Sequence, residues 1–349
     1  MTTRHASPQG RAAQRGAALL TAMVIVTLIA TLAASMVWQQ WRAIQVEAAE
    51  RSQTQAQWIL NGALDWALLI LREDGRTSAD SDHLGEPWAV PLAEARLSTF
   101  LAADRNQTDD APDAFLSGAI RDAQSRYNLR NLVSAQGPAR AVEIKTLENL
   151  CEMVGVSRSV GSSLAAQLLL TQPVAPGGTA AAPGTPGTPA PTAAPATTSQ
   201  DNLPLLPPGV EQLGWLGIDA ASLAKLLPHL ILLPRVTPIN LNTASKEVIA
   251  AVLDITLADA DRLVQLRLRT PLKTMNDAAA ALPAQALTAR SKAVGVASGY
   301  FEVTGVLRLD PLVVAQRSLV ERDRQNRSVR VLSTERIRRP DDIATSLQQ

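Results

Sequence analysis

Few residues in this chain are placed to do chemistry. The histidines His5, His83 and His229 and the single cysteine, Cys151, are scattered, with no His or Cys neighbour at metal-ligand spacing. That argues against zinc, which gathers about four such ligands at short intervals. A lone cysteine cannot form an intramolecular disulfide and reads as a small buried side chain. The polar stretch 76–112 holds Asp80, Asp82, Asp109 and Asp110 among Ser, Gly and Pro. Its carboxylates could ligate calcium, but their spacing fits no EF-hand loop. The expectation is a solvated loop, with the metal question open. No Gly-x-Ser-x-Gly, Walker loop or His-Glu-x-x-His is present,. Asp109-Asp110 lies in a loop, without the apolar setting that would raise a carboxyl pKa. The chain therefore reads as non-enzymatic, working through its surfaces.

Phosphate binding is the sharper alternative. A helix capped by Asn242 or Thr243, with Val248, Ile249, Val252 and Leu253 inward, precedes a partner helix over Asp259–Leu268,. The pair resembles a helix-hairpin-helix (SAM-like) module. Modules of that kind that bind DNA present a Gly-rich turn whose N–H groups meet phosphate, backed by Lys and Arg. Here the turn from Leu253 to Asp261 has no Gly and carries Asp254, Asp259 and Asp261. Arg262, Arg267 and Arg269 lie close by, but the aspartates repel phosphate. The 33 Lys and Arg nearly balance the 32 Asp and Glu, for a net charge of +1. No nucleic-acid partner is expected on that balance; the competing reading is a membrane-anchored DNA-binding competence receptor.

These residues hang from an N-terminal stretch of a different kind. Arg4, Arg11 and Arg15 precede Gly16, and no charge follows until Arg42. An uncharged apolar run over 17–38 is long enough for a membrane helix, which needs roughly 20 residues. A secretory signal has a shorter apolar region, although Ala33-Ala34-Ser35 offers small residues for a cut. Basic residues before the span place the N-terminus in the cytoplasm and the rest outside the inner membrane. Trp38 and Trp41 form an aromatic belt at the outer interface with lipid.

The helix is expected to run on to about residue 72, with Trp58, Ile59, Gly62, Ala63, Trp66 and Ile70 as its apolar stripe and Gly75 as a left-handed cap. Phe115–Asp122 and Tyr127–Leu132 flank a polar turn and suggest a β-hairpin. Two helices share 141–172, separated at Gly155, with Ser157 capping the second. Residues 173–200 are Pro, Gly, Ala and Thr without charge, a low-complexity linker,. Order resumes over 201–295, where Asp219 caps Ala220–Leu227. Tyr300–Leu309, Val313–Arg324 and Arg327–Glu335 alternate at period two as three antiparallel strands, and 336–349 is a polar tail. With aromatics at only 3%, packed helices dominate the expected core,.

Arg15-Gly16-Ala17-Ala18-Leu19-Leu20 resembles the type IV prepilin and pseudopilin signal, in which a leader is removed after the Gly. Trp58, Gly62-Ala63 and Trp66-Ala67, then Leu84-Gly-Glu-Pro-Trp-Ala89, then Asp122–Leu132 resemble the K-type minor pseudopilins of type II secretion. That family reads Asp, a turn, then an Asn-Leu-Asn-x-Leu-like run; Arg130 stands at the middle Asn. The resemblance spans nearly the whole chain.

It implies an α+β fold. A leader, 1–16, precedes a transmembrane helix, 17–38, and a pilin-like helix with the first part of an α/β domain, 39–135. Helical insertions at 141–172 and 201–295 interrupt that domain, and strands over 298–335 complete it. It also implies a cut between Gly16 and Ala17 by a prepilin peptidase that methylates the new N-terminus. The implied partners are the I-type and J-type minor pseudopilins at a pseudopilus tip needed for protein export. The family pattern puts a glutamate at mature position five, to pair with a neighbour's N-terminal ammonium; here that residue is Thr21, the expected tip determinant. The pattern also carries an Asp-rich, Trp-containing stretch where this chain has its Pro/Gly/Ala/Thr linker.

Overall fold

The computed structural model describes residues 13–77, 80–97, 114–172, 204–309 and 312–337. The leader before Ala13, Asp109 and Asp110, the low-complexity linker and the tail beyond 337 fall outside them. The chain divides into two compact units, Met1–Asn61 and Gly62–Gln349.

In the first unit, helix α1 (Ala13–Thr77) is exposed at every position from 17 to 50. The exposed side chains include Leu19, Val24, Ile25, Leu28, Leu32 and Val37. A helix apolar on all sides is at home in lipid, where its own backbone hydrogen bonds are satisfied internally. It is long and apolar enough to cross a membrane.

The second unit begins with the last turns of α1. The helix does not end at Gly75 but continues to Thr77, whose Oγ1 bonds the Glu73 carbonyl at 3.1 Å. Gly75 serves close approach instead: a Cβ there would stand 3.2 Å from Arg322 Cδ. The apolar stripe also differs from expectation. Leu64, Ala67, Leu68 and Leu71 face the core, joined by Ile70 of the expected stripe, while Trp66 is half exposed and Trp58, in the first unit, more so. Both stripes have helical spacing, so periodicity alone could not choose between them.

That stripe packs on an antiparallel sheet formed by β1 (Leu92–Arg96), β2 (Ala114–Asp122), β7 (Tyr300–Leu309), β8 (Leu312–Asp323) and β9 (Ser328–Ile337), in the order β1-β2-β7-β8-β9. Trp88 meets Phe301 edge-on, centroids 5.2 Å apart, beneath Ala67 and Leu71. Gly118 lies opposite Gly305, and a Cβ on Gly118 would come within 2.8 Å of the Thr304 carbonyl. The three C-terminal strands are those expected. Strand β7 departs from simple alternation: Tyr300 and Phe301 are both buried. Phe301 faces the α1 core, and Tyr300 packs with Ala123, Ile231 and Leu233.

Everything from 123 to 299 is inserted between β2 and β7. The expected hairpin after β2 is absent. Asp122 instead starts a 3-10 turn, and Tyr127–Asn128 (β3) pairs parallel with Leu230–Ile231 (β4) before α2 (Leu129–Ser134). Asn128 sets this course: its Oδ1 caps α2 through Arg130 N at 3.0 Å and accepts Leu233 N at 3.1 Å. Helices α3 (Pro138–Met153) and α4 (Arg158–Leu170) follow as expected, with Gly155 at φ +70° between them and Ser157 accepting Ser159 N. Asp219 caps α5 (Ala220–Leu226) through Ser222 N. Ile239–Asn240 (β5) pairs with Val294–Gly295 (β6), enclosing α6 (Lys246–Leu253), α7 (Leu257–Arg269), α8 (Met275–Ala278) and α9 (Ala284–Ala289). One large core, from Leu129 through Leu147, Leu164, Leu213 and Ile249 to Leu263, unites the insertion.

Candidate functional site

The front of α1 is one candidate. Gly16 and Ala17 both lie within the helix. Thr21 Oγ1 donates to its own helix, to the carbonyls of Ala17 at 3.1 Å and Ala18 at 3.0 Å. A hydroxyl satisfied this way presents no charge and seeks no external partner. Trp38 and Trp41 stand together, ring centroids 5.8 Å apart, and both are exposed.

The second candidate is a buried polar seam where the insertion meets the sheet. Asp122, at the end of β2, accepts from Asn240 Nδ2 (2.9 Å), Thr243 Oγ1 (2.5 Å) and Ser298 Oγ (2.6 Å) through one oxygen and from Gln124 N (2.8 Å) through the other. Burial pushes its carboxyl pKa up, and the bonds from Ser298 and Thr243 pull it back. Gln124 holds Gly299 N at 2.6 Å and the Pro238 carbonyl at 2.9 Å. Asn240 also donates to the Asp82 carbonyl at 3.0 Å. Each strand that enters or leaves the insertion is thereby tied to the others.

Asp82 is fully buried rather than part of a solvated loop. It accepts from Ser298 N at 2.6 Å and pairs with Arg322 and Arg324. Arg322 also reaches Asp74 at 2.6 Å and the Ser298 carbonyl at 3.0 Å, with its guanidinium 4.6 Å above the Phe301 ring. Glu86 is buried too, and Trp88 Nε1 donates to it at 2.6 Å. Oxygens of Asp74, Asp82 and Glu86 all lie within 4.8 Å of one another. Two guanidiniums sit on Asp82 and one on Asp74, so these two carboxylates belong to an ion-pair network, with Glu86 held by Trp88 beside them.

Asp74 gives this seam a pH signature. Burial, then the charge of Glu86, raises its pKa from 3.8 to about 6. The folded protein holds that proton more tightly than the unfolded chain. This group therefore favours the fold most below about pH 4, and the advantage is lost as pH rises through about 6, a span of ~3 kcal/mol at 1.36 kcal/mol per unit. Asp74→Asn keeps an oxygen for Arg322 and should flatten the stability profile between pH 4 and 6. Denaturant unfolding across that range checks it; an unchanged slope would contradict it.

The candidate phosphate-binding turn is otherwise engaged. Ser245, not Asn242 or Thr243, caps α6 through Val248 N. Asn242 is buried and exchanges two bonds with the backbone of Leu272. Asp254 takes the left-handed conformation at φ +55° and binds Lys145 at 2.6 Å and Asn149 at 2.9 Å. Arg262 pairs with Asp259. Arg267 is turned inward to the Leu241 carbonyl at 2.5 Å, and burial lowers its pKa to about 10. In the other Asn-rich run, Arg130 Nε donates to the Leu233 carbonyl at 3.2 Å, and Asn131 exchanges two bonds with the backbone of Thr237.

Sequence reasoning missed Arg322, Ser298 and the role of Asn240. Arg322 carried a signal: a charge beside Val320 in a strand with a buried face. Ser298 carried none.

Comparisons with known proteins agree with this architecture. Two family models described as type II secretion system (T2SS), protein K match residues 125–235 and 239–297, the two parts of the insertion. The chain is 26% identical over 306 residues to type II secretion system protein K of Pseudomonas aeruginosa, covering 86% of each chain. It is 25% identical over 360 residues to the protein of that name from Dickeya chrysanthemi, covering 89% of this chain and 94% of that one. The fold matches a chain in the crystal structure of the GspK-GspI-GspJ complex from the enterotoxigenic Escherichia coli Type 2 Secretion System, with a TM-score of 0.63 and 18% identity over 83% of this chain and 99% of that one. An apolar helix leading into a sheet split by a two-part helical insertion, matched along its length by relatives of one description, makes this chain a member of the type II secretion system protein K family, the K-type minor pseudopilins.

Proposed function

We propose that this protein caps the tip of the type II secretion pseudopilus, as a non-enzymatic subunit needed for protein export across the outer membrane. Its partners in this reading are the I-type and J-type minor pseudopilins, in keeping with the GspK-GspI-GspJ complex of its structural neighbour. A prepilin peptidase cuts between Gly16 and Ala17 and methylates the new N-terminus. The helix from Ala17 stays in the inner membrane, with Trp38 and Trp41 at the outer lipid interface and the body in the periplasm.

The observation that carries this reading is Thr21. A charge in lipid is costly unless paired, so a position-five glutamate paired with a neighbour's ammonium fixes a subunit's place in a filament. Thr21 is neutral, and its hydroxyl is spent on the Ala17 and Ala18 carbonyls. A subunit with no acid to offer the next one, and with a bulky inserted body, belongs at the end. Thr21→Glu should disturb tip assembly and lower secretion. If that variant spreads through the pilus with secretion and tip complex unchanged, the reading is wrong.

A further inference from the structure

Beside the ionic seam, the last turns of α1 meet the β8–β9 turn around a small cavity of about 10 Å³, lined by Arg72, Gly75, Arg76, Arg322, Asp323, Arg324, Arg327 and Val329. Five of these eight residues are arginines. Arg76 pairs with Glu73 at 3.6 Å, and Arg322 and Arg324 share Asp82. Arg72 and Arg327 have no ion-pair partner among the described residues. The Arg322 side chain is only 2% exposed, and its Nε–H has no acceptor among the described residues. That nitrogen lies 3.8 Å from where a Cβ on Gly75, another of the lining residues, would be. A buried charged donor without an acceptor is costly, so something should accept from it.

We propose that this cavity binds a monatomic anion, chloride under ordinary ionic conditions. Size argues against phosphate or sulfate, since about 10–15 Å³ holds one water-sized sphere; chloride is larger than water, so the exposed Arg72 and Arg327 side chains must shift to admit it. Charge favours an anion over water, because two lining arginines, Arg72 on α1 and Arg327 in the β8–β9 turn, have no carboxylate partner among the described residues. The carbonyl end of α1 and the Asp323 carboxylate oppose it, as do Asp74, Asp82 and Glu73, which already pair with Arg322, Arg324 and Arg76. Asp323 is held by Gln325 N at 2.9 Å, Asn326 N at 3.1 Å and Asn326 Nδ2 at 2.6 Å, which fix its carboxylate in the turn and keep it ionised. The anion would pin the β8–β9 turn to the end of the spine helix, next to the ion pairs that seat the insertion.

The test is thermal unfolding of the full chain in detergent, titrated with sodium chloride or bromide against sodium gluconate at constant ionic strength. A site of this kind raises the midpoint with the logarithm of halide concentration once above the dissociation constant, by roughly 3 °C at tenfold excess. Gluconate, too large for the cavity, should give no rise. Arg72→Gln and Arg327→Gln, both at exposed positions, should fold normally and lose most of the halide response. Identical midpoints in halide and gluconate, or an unchanged response in both variants, would overturn the site and mean the cavity holds only water.

Discussion

Replacing Arg322 with methionine should destabilise the folded body by about 3–5 kcal/mol, the usual cost of removing one partner from a buried ion pair. Arg322 holds Asp74 at 2.6 Å, Asp82, and the Ser298 carbonyl at 3.0 Å, and it covers the Phe301 ring. Methionine refills most of the volume but leaves Asp74 without its guanidinium and Asp82 with Arg324 alone, both close to Glu86. The loss should lower the melting point by about 10 °C, at 2–4 °C per kcal/mol for a body of this size. Neutralising the acids as well, in the triple variant with Asp74→Asn and Asp82→Asn, should recover part of it, because the remaining groups no longer repel. Denaturant unfolding of the single and triple variants decides the matter. A single variant within 1 kcal/mol of the parent would mean that the seam is not what seats the insertion on the sheet.

The second large effect concerns maturation. Gly16→Val should leave the leader attached and abolish assembly. A peptidase that cuts after residue 16 must bring its catalytic groups against that backbone, and glycine alone adds no Cβ to obstruct them. The change does not touch the apolar run from Ala17 or the basic leader, so insertion and orientation should persist. The expected product is a membrane-bound precursor with residues 1–16 still attached, absent from any pilus. Mass spectrometry finding a chain that begins at Ala17 in this variant would refute the assignment.

The elements that could be read from the sequence are those set by local rules. The apolar run after Gly16 has one physical solution. Ser157 and Asp219 cap their helices, because an oxygen before a helical pattern has an orphan N–H to bind,. The three C-terminal strands follow from alternation. What could not be read depended on partners distant in sequence. Tyr127 and Asn128 look like the return strand of a hairpin until Leu233 and Arg235, more than a hundred positions on, take the bonds of Asn128. Asn242 looks like a cap until Leu272 claims it. The choice of Leu64, Ala67 and Leu71 over the tryptophan stripe was made by the sheet beneath α1, not by the helix. Asp82 sits in a segment that reads as polar loop, and only Arg322, 240 positions away, shows it to be core.

The most direct measurement is the N-terminus of the wild-type mature chain, taken from membranes by sequencing or intact mass. The proposed processing predicts a chain that begins at Ala17, with a methyl group on its amine. A chain that begins at Met1, or beyond the apolar run near Ser35, would contradict it.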